Sequence, residues 1–501
     1  MSTSSEPVGP GETPPEVQPR SLALATAAAA LLILAGLAAE GQAPAGSVKA
    51  FPTAEGFGRF ATGGRGGSLC QVTTLADAGP GSLRDCLTRS GPRTVVFRVG
   101  GTIVVDSTIE VHSGRLTIAG QTAPGGGIQI RNGDTPNSAV QFIADDVIVR
   151  HIRFSAGPTR NRSTNNDALF FAGSRAIFDH VSARWATDEN VDVVYRDHPY
   201  GDVTVQWALI AEPLNGTVAH PGGHAYCFLA GGHRVSLLHS LLEDCTLRAP
   251  AVATREGFAL VNSVIYNWSE RALDVYARFG PVAVAALGNL WQMGPSSMTS
   301  AANRPARLNM GHRLGGEPQD YSLFASGNRS FATGAGQAAL VPAPERSALV
   351  AHPPFPVDPA SATSAEQAFR DVMAFAGAFP RDAADARIVE EARTCTGHIL
   401  RNESEIAGGY PVLANGTPYP DADADGMSDS WEAAHDVSDP NGDADKDGYT
   451  NLEEFLNELA GDQDGAGNIL NRAGTGRGPV PPLNCNIAVR ETGGTDDQRG
   501  H

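Results

Sequence analysis

The sequence predicts an all-β protein, a solenoid of the right-handed parallel β-helix type, and two observations carry that prediction. Runs of β-branched and aliphatic residues begin at 176 ("AIFDHVSARW"), 203 ("VTVQWALIAE"), 235 ("VSLLHSLLED"), 258 ("FALVNSVIYN") and 282 ("VAVAALGNLW"), with steps of 27, 32, 23 and 24 residues and no helical pattern between them. Strands recurring at such a period read as stacked coils, each covering the apolar face its neighbour cannot bury alone. The composition agrees: 57 glycines and only 7% aromatic residues suit many short strands joined by turns. A β-sandwich would instead give turn signals every ~8 to 12 residues and no coil-length period.

Taken in order, the chain opens with an export-like segment. Arg20 precedes the apolar run "SLALATAAAALLILAGLAA", followed by small residues. A basic flank, an apolar stretch and a small-residue zone are the parts of a signal peptide. The expectation is cleavage shortly after Ala39, in a secreted, extracellular or periplasmic protein. If it is retained, residues 1–45 form an N-terminal membrane anchor. The body, 46–415, begins its strand runs with "TVVFRV", "LTIAGQ", "IQIRNG" and "VQFIADDVIVRHIRF". Residues 335–365 are rich in Pro, Ala and Ser and read as a loop across the solenoid. After it, Ala368, Phe369, Val372, Met373 and Phe375 fall on one stripe of a helix, and 381–401 reads as a second helical stretch. The segment 416–460 is strongly acidic, and 461–501 is a Gly/Asp-rich tail.

Charge narrows the partner. The net charge of −18 excludes a nucleic-acid role, and residues 421–454 alone hold twelve acids against one lysine. The lysines are Lys49 and Lys446, so cationic contacts in the middle of the chain must come from Arg or His. Six cysteines, at 70, 86, 227, 245, 395 and 485, fit an oxidising compartment. Pairing in sequence order (70 with 86, 227 with 245, 395 with 485) is the simplest arrangement, and free buried thiols are the alternative.

One stretch conflicts with a plain core reading. "WATDENVDVVY" (185–195) sets Asp188, Glu189 and Asp192 among residues that look like core. Burying a carboxylate is costly unless it is paired or holds a metal. Asp188 and Asp192 are four apart, so a regular strand turns both to one side. Glu189 then points the other way or sits at a bend.

Several long blocks resemble the bacterial pectate lyase family, polysaccharide lyase family 1. They are "AFPTAEGFGRFATGGRGG", "PGSLRDC", "LTIAGQTAPGGGIQI", "VIVRHIRF", "FDHVSARWATDENVDV", "VTVQWALIAEPLN", "NSVIYNW" and the late "GAFPRDAADARIVEEART" with "GGYPVL". The resemblance implies a right-handed parallel β-helix and calcium-assisted β-elimination of polygalacturonate or another acidic plant or algal polysaccharide. It implies that Asp167, Asp188 and Asp192 hold Ca²⁺. It implies that Arg248, in the R-x-P motif of "LRAPAV" with Pro250, takes the proton. Asp179 and His180 match a family block and are expected as a buried hydrogen-bonded pair supporting the site. The chain departs from the pattern where a second arginine is common, having Ala253 there and Arg255 two residues on. It departs again where a lysine often meets substrate, having Tyr226. Arg255, His224, Tyr226 and Arg234 are therefore the expected substrate contacts, with His233 a further basic candidate. These departures bear on the preferred polymer, its length and its methylation.

The acidic segment carries a second calcium signature. "DADADGMSDSWE" (421–432) and "DADKDGYTNLEE" (443–454) each fit the D-x-[DN]-x-[DN]-G-x₅-E loop. Asp421, Asp423, Asp425, the Met427 carbonyl, Asp429 and Glu432 are the ligands expected of the first. Asp443, Asp445, Asp447, the Tyr449 carbonyl, Asn451 and Glu454 are those of the second, with Gly426 and Gly448 at the sharp turns. Only ten residues separate the loops, too few for two full EF-hand helices, and the pair resembles dockerin-like or thrombospondin-type repeats. The whole reads as a monomeric secreted lyase with a small calcium-binding repeat segment. Two alternatives stand beside it: a calcium-independent pectin lyase or a hydrolase on the same fold, and a non-catalytic carbohydrate-binding or adhesion module. A hydrolase would need a second acid across the bond, and the sequence offers no convincing one.

Overall fold

Each ten-residue run of the sequence is two strands rather than one, because a residue in the left-handed region bends it in the middle. A computed structural model of the chain describes residues 47–479, apart from 136, 159–164, 194–199, 299–303, 311–314, 332–338, 342–344, 358–361 and 471. The export-signal expectation, Val194, Tyr195 and Cys485 lie outside the described residues. The chain divides into two units, Met1–Ser47 and Val48–His501, and the solenoid is the second. Among the described residues no helix is long and apolar enough to cross a membrane.

In the first of the runs that set the period, strand Ala176–Asp179 is followed by His180 at φ 50° and then by strand Ser182–Arg184. The next coil repeats this as Val203–Gln206, Trp207 at φ 51° and Leu209–Ala211; the one after as Arg234–Leu238, His239 at φ 50° and Leu241–Glu243. His, Asn and Asp tolerate this backbone better than most side chains, and Asn262 continues the series at φ 50°. Stacked coils therefore stack their bends. The rings of His151, His180, Trp207 and His239 lie nearly parallel at successive centroid distances of 4.9, 6.0 and 4.4 Å. Ring contacts of this kind add about 0.5–1.5 kcal/mol each beyond area burial.

A second bend, at Trp185, Glu212, Asp244 and Asn267 (φ 61°, 53°, 58° and 54°), turns the chain toward a third strand. The result is three wholly parallel sheets of ten, nine and eight strands, the predicted right-handed parallel β-helix. Register fixes what faces in and out. In the eight-stranded sheet the inner row runs Phe142, Phe171, Val193, Ala230, Val252, Val275, Leu308. These belong to one continuous core, where each large apolar side chain contributes roughly 1.5–3 kcal/mol. One position earlier, the outer row runs Gln141, Phe170, Asp192, Leu229, Ala251, Asp274, Arg307. A period of two thus sends Asp192 outward while its neighbours Val191 and Val193 fill the core.

The first coil is closed by the short helix Leu83–Leu87, capped by Ser82 and joined to strand Ser68–Val72 by the Cys70–Cys86 disulfide. The buried Arg93 guanidinium donates to the Cys86 and Leu87 carbonyls at 2.9 and 2.7 Å. Cys227 pairs with Cys245, and no described cysteine is free. Helices Ala365–Phe375 and Ala383–Thr394 cover the nine-stranded sheet, laying Phe369, Val372, Met373, Ile388 and Val389 on Leu209, Leu241, Val264 and Leu290. Phe375 ends half-buried, edge-on to Trp207 at 6.0 Å. The acidic repeat segment forms two short helices, Asp429–His435 and Asn451–Ala460. It packs Met427, Leu452, Phe455 and Leu456 onto Val96 and Ala119 of the ten-stranded sheet.

Candidate active site

The chain enters the eight-stranded sheet through a bend at 185–188 that two asparagines pin. Asn190 Oδ1 accepts from the Ala186 N–H at 3.0 Å, and its Nδ2 donates to the Ala211 carbonyl at 2.8 Å. From the coil below, the buried Asn166 carbonyl accepts the N–H groups of Thr187 and Asp188, both at 3.1 Å. This clamp sets Asp188 just ahead of strand Glu189–Val193, beside the register position where Glu189 stacks on Asp167, which precedes strand Leu169–Phe171. The Glu189 N–H donates to Asp167 Oδ1 at 3.2 Å. Carboxylate oxygens of Asp167, Asp188 and Glu189 all lie within 4.8 Å of one another.

The electrostatics follow from that crowding. Burial first, then repulsion from Asp192 and Asp188, pushes the Asp167 carboxyl well above its ordinary value. Burial also pushes Asp188 up, but the hydrogen bond from His224 and the charges of His224 and Arg248 outweigh it and leave Asp188 lowered. His224 Nε2 stands 2.5 Å from Asp188 Oδ1, and its ring lies between His220 and Tyr226, each centroid at 3.8 Å. On the next coil Arg248, at φ 56°, sets its guanidinium 4.2 Å over the Tyr226 ring and binds Glu189 Oε1. Burial lowers the Arg248 pKa, opposed by Tyr276, Asp188, Asp274 and Asp167. The Arg248 carbonyl accepts from the Phe228 N–H at 2.8 Å, and the Cys227–Cys245 disulfide ties the same two segments.

The structure thus gathers Asp167, Asp188, Asp192, His224, Tyr226 and Arg248 on one outer face. It does not bring Arg234 there. Arg234 begins strand Arg234–Leu238 of the ten-stranded sheet and pairs with Asp202 at 2.7 Å, because a few residues of solenoid suffice to carry the chain to another face. Arg255 lies beyond the far end of strand Ala251–Val252, which Arg248 precedes, and its N–H donates to Gly232. His233 pairs with Glu256 at 2.6 Å. Asp179 and His180 are buried and 2.9 Å apart, as expected, but at the bend between the ten- and nine-stranded sheets and not beside the carboxylates. Glu189, read as facing away or sitting at a bend, is the first residue of its strand, where the 185–188 bend ends, and it holds Arg248 from inside the cluster. Sequence reasoning also misses His220; its four-residue spacing to His224 across "PGG" is the available signal.

The tail loops have the form their spacing implies. Asp421, Asp423 and Asp425 present oxygens within 4.8 Å. Gly426 and Gly448 turn at φ 95° and 101°. Asp429 and Asn451 each accept the N–H of their loop's second residue, at 2.7 and 3.3 Å. Buried oxygens of Asp425 (Oδ2) and Glu454 (Oε1) have no hydrogen-bond partner. Burial, with Asp447 and Asp445, pushes Glu454 up to about 7 against the opposing bond from Gln463.

The three-sheet parallel solenoid is a β-helix, and its relatives make the chain a polysaccharide lyase. More narrowly, the chain belongs to the pectate lyase family. It is 34% identical over 443 residues to probable pectate lyase C of Neosartorya fischeri, covering 85% of this chain and 97% of that protein. It is 35% identical over 422 residues to probable pectate lyase C of Aspergillus flavus, covering 82% and 94%. These relatives are fungal, so they do not support the bacterial branch that the sequence blocks suggested. Among solved structures, a pectate lyase bound to hexasaccharide is similar at a TM-score of 0.45 and 13% identity, over 67% of this chain and 99% of that one. No family model matches the chain.

Proposed function

We propose that the chain is a secreted pectate lyase that cleaves polygalacturonate-type polymers by calcium-assisted β-elimination, with Arg248 as the base. The observation that carries this reading is the setting of Arg248, a guanidinium whose pKa is lowered by burial, braced on Tyr226 and facing the carboxylate cluster on the outer face. An arginine is ordinarily a fixed cation; this one is half-buried, with 31% of its side chain exposed, and pressed against the carboxylate cluster.

The cluster fits a hard cation. Its donors are oxygens, which suit Ca²⁺, and the strained proton balance of Asp167 is what a cation between Asp167, Asp188 and Asp192 relieves. Bound there, Ca²⁺ supplies Lewis-acid stabilisation of the enolate-like charge on the uronate carboxylate. The chain's own residues do the rest. Glu189 orients the Arg248 fork and His224 holds Asp188 in place. Tyr226 supplies the platform under the guanidinium. In its neutral form Arg248 would take the C5 proton α to the carboxylate; the electron pair forms the C4=C5 double bond as the C4–O bond breaks, and the leaving sugar oxygen takes a proton from solvent. Arg271 lies one coil beyond Arg248, away from Tyr226, and pairs with Asp274 of its own strand at 3.1 Å.

The tail loops belong to this reading as structural calcium sites, with Asp425 and Glu454 supplying the oxygens that lack partners. The test is the absorbance of unsaturated product from polygalacturonate, with and without chelator. Calcium-dependent product supports the proposal; full activity in chelator, or sugar release without a double bond, overturns it.

A further inference from the structure

A second group of acids lies under helix Ala383–Thr394, on the face of the solenoid formed by the nine-stranded sheet. Glu212 and Asp244 occupy the same left-handed bend on successive coils, and Glu391 comes down from the helix. Carboxylate oxygens of these three lie within 4.8 Å of one another. Glu243, wholly buried beside Asp244, adds a fourth acid.

One guanidinium serves the group. Arg387 donates to Glu212 at 2.7 and 2.8 Å and to Glu391 at 2.9 Å, while the Trp185 indole donates to Glu212 at 2.9 Å. Asp244 Oδ1 accepts from Asn267. His398 lies near Glu391. Three oxygens remain without a hydrogen-bond partner, Asp244 Oδ2 and both of Glu243, on residues with no solvent exposure. Buried carboxylates in that state are costly unless they hold a proton or a metal. The gap that Asp244 Oδ2 faces is kept open by a glycine. A Cβ on Gly397, which sits at φ 88°, would stand 3.2 Å from both Asp244 Oδ2 and Glu391 Oε2. Those two oxygens therefore converge on one space.

We propose that this space is a binding site for a hard divalent cation, held by oxygens of Glu212, Asp244 and Glu391, which pins helix Ala383–Thr394 to the solenoid. Hard cations take several oxygen ligands and tolerate carboxylates of different reach. Glu391 is half-buried and gives the ion its way in. The site lies on a different sheet from the Asp167 cluster and does not depend on the catalytic reading.

The test uses the full chain stripped with chelator, carrying Glu432→Ala and Glu454→Ala so that the tail loops do not contribute. Calcium is returned, and bound ions are counted while hydrogen exchange is followed over 383–394. The expected result is slowed exchange in that helix on adding Ca²⁺. Glu391→Gln, a mild change at the half-buried member, should abolish the response and remove about one ion per chain. Asp244→Asn should do the same. Gly397→Ala, which fills the gap, should also lose the response. Unchanged exchange over 383–394 with Ca²⁺, or an ion count that Glu391→Gln leaves the same, overturns the proposal. Protection that rises only with acid would overturn it too, by showing that the group holds protons instead.

Discussion

Asp421, Asp423 and Asp425 meet because one short loop turns back on itself, whereas Asp167 and Asp188 lie a full coil apart and meet because one coil stacks on the next. The loop's acids repel, and what ties its segment to the solenoid is peripheral: Gln71 and Arg98 reach Asp421 at 3.2 and 3.5 Å, Arg65 reaches Glu453 at 2.8 Å, and a few side chains pack on Val96 and Ala119. The groove acids stand on a continuous core that is indifferent to them. The same donor chemistry should therefore behave differently in the two places. On the proposed reading, an ion in the tail would hold the loop's acids together, whereas the outer-face acids are already placed by the stacked coils.

Removing the base is the sharpest way to separate groove from tail. Arg248→Ala should lower kcat by at least ~10²-fold, the loss typical of a missing proton-transfer group, with little change in substrate affinity. Arg248→Lys should rescue poorly, because an ammonium lacks the planar fork that Glu189 grips. Steady-state kinetics on polygalacturonate distinguish these outcomes, and activity that survives Arg248→Ala would break the assignment. Next in size is Asp188→Asn. It should raise the calcium needed for half-maximal rate by roughly tenfold, as ligand charge is lost, while the maximal rate at saturating calcium falls much less.

The stacked bend gives an ion-independent contrast. Burial, outweighing the opposing Asp179 charge, pushes His180 down to about 4. Between the ordinary histidine value of about 6.5 and that lower one, the unfolded chain holds a proton that the folded chain lacks. Stability from this group is complete above about pH 6.5 and is lost as pH falls toward 4, at up to about 1.4 kcal/mol per pH unit. His180→Asn, the residue type that Asn262 already shows to be tolerated at such a bend, should flatten that acid limb in denaturant melts. Added calcium should not. The smallest expected effect on turnover belongs to the tail. Glu432→Ala with Glu454→Ala should change kcat by less than about twofold, since no described tail ligand touches the groove cluster, yet should expose 421–460 to proteolysis even with calcium present. A collapse of activity with the solenoid intact would erase the distinction between the two regions.

Much of this is legible in the sequence, and the misses share a cause. The coil period and the twelve-residue loops are written along the chain, so reading it finds them. Glu189 stays undecided in the sequence because strict alternation turns it away from the cluster, whereas the bend pinned by Asn166 and Asn190 at 185–188 runs into the strand's first residue and breaks that alternation. Arg234 falls in the groove by nearness in sequence to Tyr226, but the Gly232 turn between them moves the chain to a different sheet. The docking of Leu452 and Phe455 onto Val96 and Ala119 joins residues hundreds of positions apart, and nothing local marks those two small outward positions as a landing place.

The helix at the start of the solenoid has a consequence for how the protein keeps company with itself. A stack of parallel strands ends in rows of unpaired backbone groups, and such an edge is a template on which another chain can grow. Leu83–Leu87 lies against the two first strands, Ser68–Val72 and Ile109–Val111. The Cys70–Cys86 bond and the Arg93 guanidinium fasten it there. It acts as an end stop. Loss of those five residues should leave the first strands' edges open to pairing with another copy of the chain.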